Sequence, residues 1–153
     1  MRSYLVCRKM KYRIYLDNCC FNRPYDVQKH LLVQLETEAK LFVQQAVLHG
    51  MFELVWSYIL DYENEANPYQ NRKSSIAKWR EKAILDINAS ETVVNCAKEI
   101  MLKGIKAKDA LHIACAIEAK CHYFLTTDKK LLHTKFDEIK TVNPIDFIKI
   151  LEI

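Results

Sequence analysis

The chain has 153 residues, half of them hydrophobic, and its 23 basic and 19 acidic side chains give a formal net charge of +4. This length fits one domain with a sizeable core, and only two glycines and three prolines argue against a disordered or linker-rich chain. No apolar run approaches the roughly 18 residues that a transmembrane helix needs, so we expect no membrane span.

The first ten residues are too short and too basic for a signal peptide with an apolar centre. We therefore expect residues 1–10 to be an N-terminal extension, with Met10 as an alternative start, and residues 11–153 to form the domain. The expected location is the cytoplasm. The six cysteines are then expected to be reduced core thiols, because no Cys-x-x-Cys pair suggests a zinc site.

The first predicted strand covers residues 12–16, a run of β-branched and aromatic side chains, and Asp17 follows it directly. A carboxylate at the end of a central strand can serve a functional site, but Asp is also favoured in turns and at helix N-caps. Both interpretations stay open on this segment alone. Residues 22–26 predict a loop, in which Arg23 is a candidate phosphate contact.

A long amphipathic helix is predicted from residue 27 to Gly50, which would act as its C-cap. A second strand is predicted at residues 51–56, and Ser57 is expected to cap a helix over residues 58–66. The apolar positions of the long helix are Leu31, Leu35, Ala39, Phe42, Ala46 and Val47. Its solvated face is expected to hold Glu36, Glu38, Lys40, Gln44 and Gln45.

Two further helices are predicted between residues 72 and 102. The first covers residues 74–85, and the second begins at Asn88 or Ser90, with Glu91 completing a capping box. This part of the chain is the most basic, which suits either a solvated helix face or a face toward nucleic acid. Its basic residues are Arg72, Lys73, Lys78, Arg80 and Lys82.

Residues 106–130 combine a helix predicted to begin at Asp109 with a strand at residues 123–126 that leads into Asp128. In a parallel α/β unit, helix N-termini and strand C-termini share the edge of the sheet where ligands bind. We therefore expect Asp109 and Asp128 to be neighbours in space. A short helix at 129–136, a strand at 139–142 and a terminal helix at 145–151 complete the prediction.

Four acids thus stand out by position: Asp17, Glu63, Asp109 and Asp128. Helical spacing leaves Asp61 and Glu65 as alternatives to the second of them. The five histidines are scattered along the sequence, and oxygen-only ligands favour hard cations such as Mg²⁺ or Mn²⁺ over zinc. Such ions in an acidic pocket are typical of enzymes that cleave phosphodiester bonds. From the residues alone, unconnected turn and cap carboxylates remain the alternative to a metal site.

Four short motifs follow one another: residues 14–18, Ser57 with Glu63 six positions later, residues 108–114 (Lys-Asp-Ala-Leu-His-Ile-Ala) and residues 125–128 (Leu-Thr-Thr-Asp). Their order and spacing resemble the PIN-domain family, which includes the VapC-type toxins of bacterial toxin–antitoxin pairs, over roughly residues 12–151. The resemblance implies a Rossmann-like α/β fold, a three-layer α/β/α sandwich with a central parallel sheet. It also implies an Mg²⁺- or Mn²⁺-dependent endoribonuclease whose catalytic metal ligands are Asp17, Glu63, Asp109 and Asp128.

The resemblance extends to neighbouring polar residues: Asn18 follows the first acid and Thr127 precedes the last. Candidate phosphate-positioning groups are Arg23, Arg72, Lys108 and Lys129. Metal ions held by the acids would lower the pKa of a bound water and produce the hydroxide that attacks phosphorus. The implied partners are an RNA substrate, a small antitoxin protein and a second copy of the chain.

Two other interpretations accompany this one. The chain could be a non-catalytic PIN-fold module that binds RNA or a protein, or a structure-selective nuclease that acts on DNA. Stabilisation by a divalent cation separates the first from an enzyme, because a ligand that binds only the folded state raises its stability. Competition between RNA and DNA substrates tests the second.

Overall fold

The computed structural model describes residues 11–152, so the extension predicted at residues 1–10 lies outside the described residues. Within them, the strands are β1 (Tyr12–Leu16), β2 (Phe52–Ser57), β3 (Leu85–Ile87), β4 (Tyr123–Leu125) and β5 (Lys140–Val142). The helices are α1 (Asn18–Asn22), α2 (Leu31–Leu48), α3 (Tyr58–Glu65), α4 (Gln70–Ala77), α5 (Glu91–Met101), α6 (Ala107–Glu118), α7 (Lys129–His133) and α8 (Pro144–Leu151). Two 3₁₀ segments cover Arg23–Tyr25 and Lys78–Lys82.

All pairings in the sheet are parallel, and the strand order is β3-β2-β1-β4-β5. The chain builds outward from β1 to β3 and then crosses back to add β4 and β5 on the other side of β1. Because crossovers between parallel strands are right-handed, this reversal places helices on both faces of the sheet. The predicted α/β/α sandwich with a central parallel sheet is confirmed. The reversal lies between β1 and β4, and the carboxyl ends of strands at such a reversal are where open α/β sheets bind ligands.

The central strands are buried on both faces, as expected for the middle of a parallel sheet. Ile14, Tyr15 and Leu16 of β1 are fully buried, and so are the neighbouring residues of β2. On the helical layers, α5 packs against α6 and α2 packs against α8. The ends of β1 and β4 are therefore supported by a fully buried core.

Most predicted elements occur close to their predicted positions. β1 covers the predicted residues. Ser57 caps α3 by accepting a hydrogen bond from the Leu60 amide. Gly50, with a φ of +76°, lies just past the C-terminal end of α2. The helix predicted to begin at Asp109 begins two residues earlier, at Ala107. Among residues 11–152, no helix has both the length and the apolar composition of a membrane span.

The helix predicted over residues 74–85 is wrong in its second half. Helix α4 ends at Ala77, a 3₁₀ segment follows, and Leu85 begins the edge strand β3. The Ile84 amide donates to the Leu54 carbonyl at 2.8 Å, so pairing with β2 takes over from the helical pattern. A three-residue edge strand leaves too short a pattern to be recognised from the sequence.

The buried face of α2 also differs from the prediction, and the helix begins at Leu31 rather than at residue 27. Leu31, Leu35 and Phe42 are exposed, whereas three residues assigned to the solvated face are buried: Glu36, Lys40 and Gln44. Glu36 accepts a hydrogen bond of 2.6 Å from the Asn143 amide and pairs with Arg23 at 3.4 Å. Of the predicted apolar positions, Ala39, Ala46 and Val47 are buried, so the core-facing side of the helix overlaps only half of the predicted apolar stripe.

Candidate active site

The candidate site lies at the carboxyl ends of β1 and β4, where the order of the strands reverses. Asp17 directly follows β1 and is only 6% exposed. Its Oδ1 accepts a hydrogen bond of 2.8 Å from the Asn18 amide, and its Oδ2 accepts one of 2.8 Å from the Thr126 hydroxyl. Asp17 is therefore both the N-cap of α1 and a carboxylate fixed in the crevice.

The environment of Asp17 disfavours its negative charge. Burial raises the pKa of Asp17 well above its ordinary value, and the nearby Cys19 and Asp109 add to that rise. His112 and the Thr126 hydroxyl act in the opposite direction. The carboxylate thus lies where a positive charge would stabilise the protein.

The three acids of α3 point toward different partners, which resolves the choice that the sequence left open. Asp61 accepts a hydrogen bond of 2.8 Å from the Trp56 indole, and Glu65 pairs with Lys73 at 2.9 Å. Only Glu63 of these three is directed toward the crevice beside Asp17.

Glu63 lies in contact with two residues of the site. Its Oε1 hydrogen-bonds to Nε2 of His112, and its Oε2 accepts from the Asn18 side-chain amide at 3.4 Å. One ligand atom each from Asp17, Glu63 and His112 lie within 4.8 Å of one another. Burial alone would raise the pKa of Glu63, but the hydrogen bond and charge of His112, with smaller effects of Lys108 and Asn18, lower it below its ordinary value.

Asp109 occupies the first turn of α6 and is half-buried. Burial raises its pKa, and the negative charges of Asp128 and Glu63 raise it further, against smaller opposing effects of His112 and Lys106. Asp109 in turn raises the pKa of Asp17. The four predicted acids therefore act on one another electrostatically, in one crowded negative site.

Asp128 follows β4 and caps α7. Its Oδ1 accepts from the amides of Lys130 and Leu131 at 2.8 and 3.2 Å, which leaves Oδ2 for another partner. The Asp128 amide donates to the Thr126 hydroxyl at 3.0 Å, and that hydroxyl bonds to Asp17. Thr126, which the sequence did not single out, therefore links the first and last acids.

His112 is the main residue of the site that sequence reasoning missed. The expectation that the histidines are scattered away from the acids is wrong for His112, which is fully buried and lies between Glu63 and Asp17. The available signal was its spacing: Asp109 and His112 are three residues apart, so they share one face of α6. On an apolar helix, a single histidine resembled a core residue.

Comparison with known proteins gives the family. A family model described as the PIN domain matches residues 14–137. The chain belongs to the PIN domain family. A comparison with curated protein sequences returned no match.

Among solved structures, the PIN domain resembles VapBC2 from Rickettsia felis bound to a DNA fragment from their promoter. The TM-score is 0.53 at 15% identity, and the alignment covers 86% of this chain and 98% of that one. At this identity the likeness concerns the fold alone.

Arg23, a candidate phosphate contact, and Thr127, the polar residue before the last acid, are bonded to each other in this PIN domain. The Arg23 guanidinium contacts Asp26 at 3.1 Å, Glu36 at 3.4 Å and the Thr127 hydroxyl at 2.8 Å. These bonds connect the segment after α1 to the residue before Asp128. Arg23 and Thr127 thereby stabilise the polypeptide around the site.

Two of the three remaining basic candidates lie beside exposed aromatic rings. Lys108 has its Nζ 5.9 Å from the centre of the Tyr62 ring, and Lys129 is exposed at the start of α7. The Arg72 guanidinium lies 5.1 Å from the Tyr25 ring and 4.6 Å from the Tyr69 ring. All three tyrosines are exposed, by 44–65%. We call these six residues the aromatic–basic rim.

Proposed function

We propose that this PIN domain is an Mg²⁺- or Mn²⁺-dependent endoribonuclease that acts in the cytoplasm as the toxin of a toxin–antitoxin pair. The observation that carries the proposal is the cluster of Asp17, Glu63 and His112, with ligand atoms within 4.8 Å of one another, at the switch point of a parallel sheet. Asp109 raises the pKa of Asp17, and Asp128 raises that of Asp109, which supports adding both acids to the site. The family membership supports a nuclease, and the chemistry of the site supports a metal-dependent one.

The donor set fits a hard divalent cation. The ligands are mostly carboxylate oxygens, which Mg²⁺ and Mn²⁺ prefer. Burial first, and neighbouring negative groups next, raise the pKa values of Asp17 and Asp109. Their charged forms are therefore disfavoured in the folded protein, and a bound cation would offset that cost. Asp17, Asp109 and Asp128 would hold the cation, with Glu63 holding a second one or orienting water. When bound, the cation supplies an activated water and neutralises charge on the phosphate.

The chain's own residues fix these carboxylates before any substrate arrives. Thr126 and the Asn18 amide hold the two oxygens of Asp17, and the N-cap bonds of Asp128 hold one of its oxygens. The Asn18 side chain reaches Glu63. Because the carboxylates are already oriented, little reorganisation is needed when charge develops on the phosphate.

The aromatic–basic rim supports RNA as the substrate. Unpaired bases stack on tyrosine rings and guanidinium planes, while lysines neutralise phosphates. Tyr62 and Lys108 flank two of the acids directly, since Glu63 follows the first and Asp109 follows the second in sequence. Arg72 lies near the segment that contains Arg23. It donates a hydrogen bond of 2.9 Å to the carbonyl of Tyr25, which is two residues after Arg23. A single strand could therefore span the acids between two stacking platforms.

An exposed apolar surface of α2 supports a protein partner, and we propose a small antitoxin as its occupant. This surface, the α2 face, consists of Leu31, Leu32, Leu35, Leu41, Phe42 and Leu48, each at least 44% exposed. Contiguous apolar patches of this kind commonly mark interaction sites. The structural neighbour is itself a VapBC2 assembly. A second copy of this chain is the alternative occupant.

RNA cleavage by purified protein tests the function. We expect a single-stranded RNA to be cut in Mn²⁺, and not in excess EDTA. Asp17→Asn and Asp109→Asn should each abolish cleavage while keeping the fold, whereas the exposed control Asp137→Asn should cut normally. Full activity of either site variant, or of wild type in EDTA, would refute the proposal. Binding of RNA without cleavage would favour the non-catalytic module, and preferential cutting of a matched DNA would favour a DNA nuclease.

A further inference from the structure

A buried hydrogen-bonded chain leads from the core to Glu63. The Ser57 hydroxyl lies 2.6 Å from the Tyr15 hydroxyl, which lies 2.6 Å from Nδ1 of His112. The other ring nitrogen of His112, Nε2, hydrogen-bonds to Glu63. Ser57, Tyr15 and His112 are all fully buried. The chain thus joins β2, β1 and α6 to an acid on α3.

The chemistry of the carboxylate fixes the direction of the last bond. An ionised carboxylate only accepts, so Nε2 of His112 carries a proton and donates a hydrogen bond to Glu63. In a neutral ring, Nδ1 accepts from the Tyr15 hydroxyl, which accepts from Ser57, whereas in a charged ring Nδ1 donates to Tyr15 and Tyr15 donates to Ser57. Ser57 also accepts from the Leu60 amide at 3.5 Å, as the N-cap of α3. Each polar atom of the chain has a compatible partner, so the imidazole has one preferred orientation.

Packing holds the same orientation. The Tyr15 ring stacks on Phe124 at 5.2 Å and 9° between planes, and meets the His112 ring edge-on at 5.6 Å. Both rings are fully buried, and close packing of protein interiors disfavours their rotation. The Nε2–H group is therefore directed toward Glu63 by residues of the core.

We propose that His112 is a positioning residue for Glu63: its Nε2–H, oriented by Tyr15 and Ser57, holds the Glu63 carboxylate beside Asp17 in the geometry that binds a divalent cation. This inference rests on the proposed metal-dependent function. Nε2 is also 3.9 Å from Oδ1 of Asp17, which places the donor between the two acids. The bond from His112 occupies Oε1 of Glu63, so Oε2, whose one contact is with Asn18 at 3.4 Å, would be the atom available to hold a cation. Groups that orient metal ligands in this way typically contribute about 10- to 100-fold in metal affinity.

A matched pair of substitutions separates positioning from simple packing. A glutamine at this position places an amide N–H near Nε2, whereas an asparagine reaches only to about the position of Nδ1. We expect His112→Asn to raise the Mn²⁺ dissociation constant about 10-fold, and His112→Gln to recover most of that loss. Isothermal titration calorimetry with MnCl₂ on the 153-residue chain measures both. If His112 only packs, both variants lower the melting temperature and leave the Mn²⁺ affinity equal to wild type.

A double-mutant cycle tests whether His112 acts through Glu63. In a Glu63→Gln background, His112→Asn should cause no further loss of Mn²⁺ affinity, and Tyr15→Phe should weaken binding only when both His112 and Glu63 are intact. A further loss in the Glu63→Gln background of the same size as in wild type would overturn the proposal. Phe147→Leu, a buried change at the opposite end of the sheet, controls for general destabilisation.

A metal-free measurement keeps the proposal testable if His112→Asn does not fold. In ¹⁵N-labelled wild type with EDTA, the Nε2–H proton of His112 should be visible and strongly downfield, and it should shift in Glu63→Gln and in Tyr15→Phe. The absence of any shift in both variants would contradict the proposed chain of bonds. The two failures are distinguishable: a wild type that binds Mn²⁺ through Glu63 yet cuts no RNA refutes only the nuclease, whereas unchanged Mn²⁺ affinity in His112→Asn refutes only the positioning.

Discussion

At the residue scale, the position of Asp109 in the candidate site lowers the stability of the metal-free protein. Its carboxylate lies among other acids, and its pKa is raised by burial first and by Asp128 and Glu63 next. A carboxyl group whose pKa is higher in the folded chain stabilises the fold at acid pH. That stabilisation is lost as the pH rises through the folded-state pKa. At neutral pH, the metal-free protein therefore carries a cost at this position.

The first prediction follows from that cost. In EDTA at pH 7, Asp109→Asn should melt about 2–4 °C above wild type, equivalent to about 1 kcal/mol for a chain of this size, because it removes the repelled charge. At acid pH, where the wild-type carboxyl group is protonated, the advantage should disappear. In Mn²⁺ the order should reverse, since wild type gains about 2.7 kcal/mol at a hundredfold excess over its dissociation constant and the variant gains less.

Thermal melts with and without Mn²⁺ check this crossover, with Asp137→Asn as an exposed control that should match wild type throughout. Wild type melting above Asp109→Asn in EDTA, or equal Mn²⁺ shifts in the two proteins, would contradict the proposed role of Asp109.

Lys40 gives a second residue-scale prediction, away from the site. It is 3% exposed, its Nζ lies 5.5 Å from the centre of the Phe21 ring, and burial lowers its pKa to about 8. Between about pH 8 and the ordinary value of 10.5, the unfolded chain binds this proton more tightly than the folded one. The free energy of unfolding should therefore rise with pH across that interval.

Lys40→Met should remove this pH-dependent increment and raise the free energy of unfolding at pH 7 by about 1–2 kcal/mol, because a similar volume is buried without a charge. Urea denaturation from pH 7 to 10 measures the difference between the two proteins, with the exposed Lys98→Met as a control. A variant that is less stable than wild type at pH 7 would show that the contact with Phe21 outweighs the cost of burial.

Individual site residues were predictable from the sequence only where position alone defined them. Asp17, Asp109 and Asp128 follow from strand ends and a helix start, which the parallel topology brings to one edge. Glu63 could not be separated from Asp61 and Glu65, because the choice depends on tertiary partners such as Trp56 and Lys73. These partners are distant in sequence and leave no local pattern.

Helix α2 illustrates at the element scale why a periodic pattern can mislead. Its leucines predicted the core-facing side, but the structure buries Glu36, Lys40 and Gln44 and exposes Leu35 and Phe42. The sequence pattern indicates which positions of the helix are apolar. It does not distinguish apolar side chains that are buried in the core from those that are exposed at an interaction surface. The short strand β3 was missed for the opposite reason, because it carries almost no pattern.

The α2 face should therefore tolerate charge in the isolated chain. Phe42→Glu should leave the melting temperature within about 2 °C of wild type, since an exposed substitution rarely costs more than about 0.5 kcal/mol. It should abolish co-purification with the product of a short neighbouring reading frame when the two are expressed together. Asp137→Asn, an exposed change outside α2, is the control.

Size-exclusion chromatography with light scattering on the chain alone distinguishes the occupants of this face. A monomer that assembles only with the co-expressed small protein supports the antitoxin. A wild-type dimer that Phe42→Glu converts to a monomer would assign the face to a second copy and contradict the proposal. Retained binding of the small protein by Phe42→Glu would exclude this face altogether.

The aromatic–basic rim yields another element-scale prediction. In an Asp17→Asn background that prevents cleavage, Arg72→Ala should weaken binding of a single-stranded RNA about 5- to 10-fold, because it removes a stacking plane between Tyr25 and Tyr69. The slope of log affinity against log salt should fall by no more than about 0.7, the value for one phosphate on a single strand. Fluorescence anisotropy measures both, with Lys149→Ala as the control, and unchanged affinity would remove Arg72 from the RNA surface.

At the scale of the whole molecule, the fold is the part that the sequence predicts best. The parallel α/β/α sandwich follows from alternating strands and helices, and the strand order places the reversal at β1, next to Asp17. The net charge of +4 conceals an acidic crevice beside basic side chains, an arrangement suited to a polyanion held through cations. Topology, charge and the buried support from His112 and Thr126 thus converge on one location.

An anomalous difference map at the manganese edge, from a crystal soaked in MnCl₂, tests this convergence most directly. We expect a peak within bonding distance of Asp17 and Asp109, close to Asp128. The peak should be lost in Asp17→Asn crystals soaked in the same way. A fully occupied Mn²⁺ elsewhere on the molecule, with no density among these carboxylates, would contradict the proposed metal site.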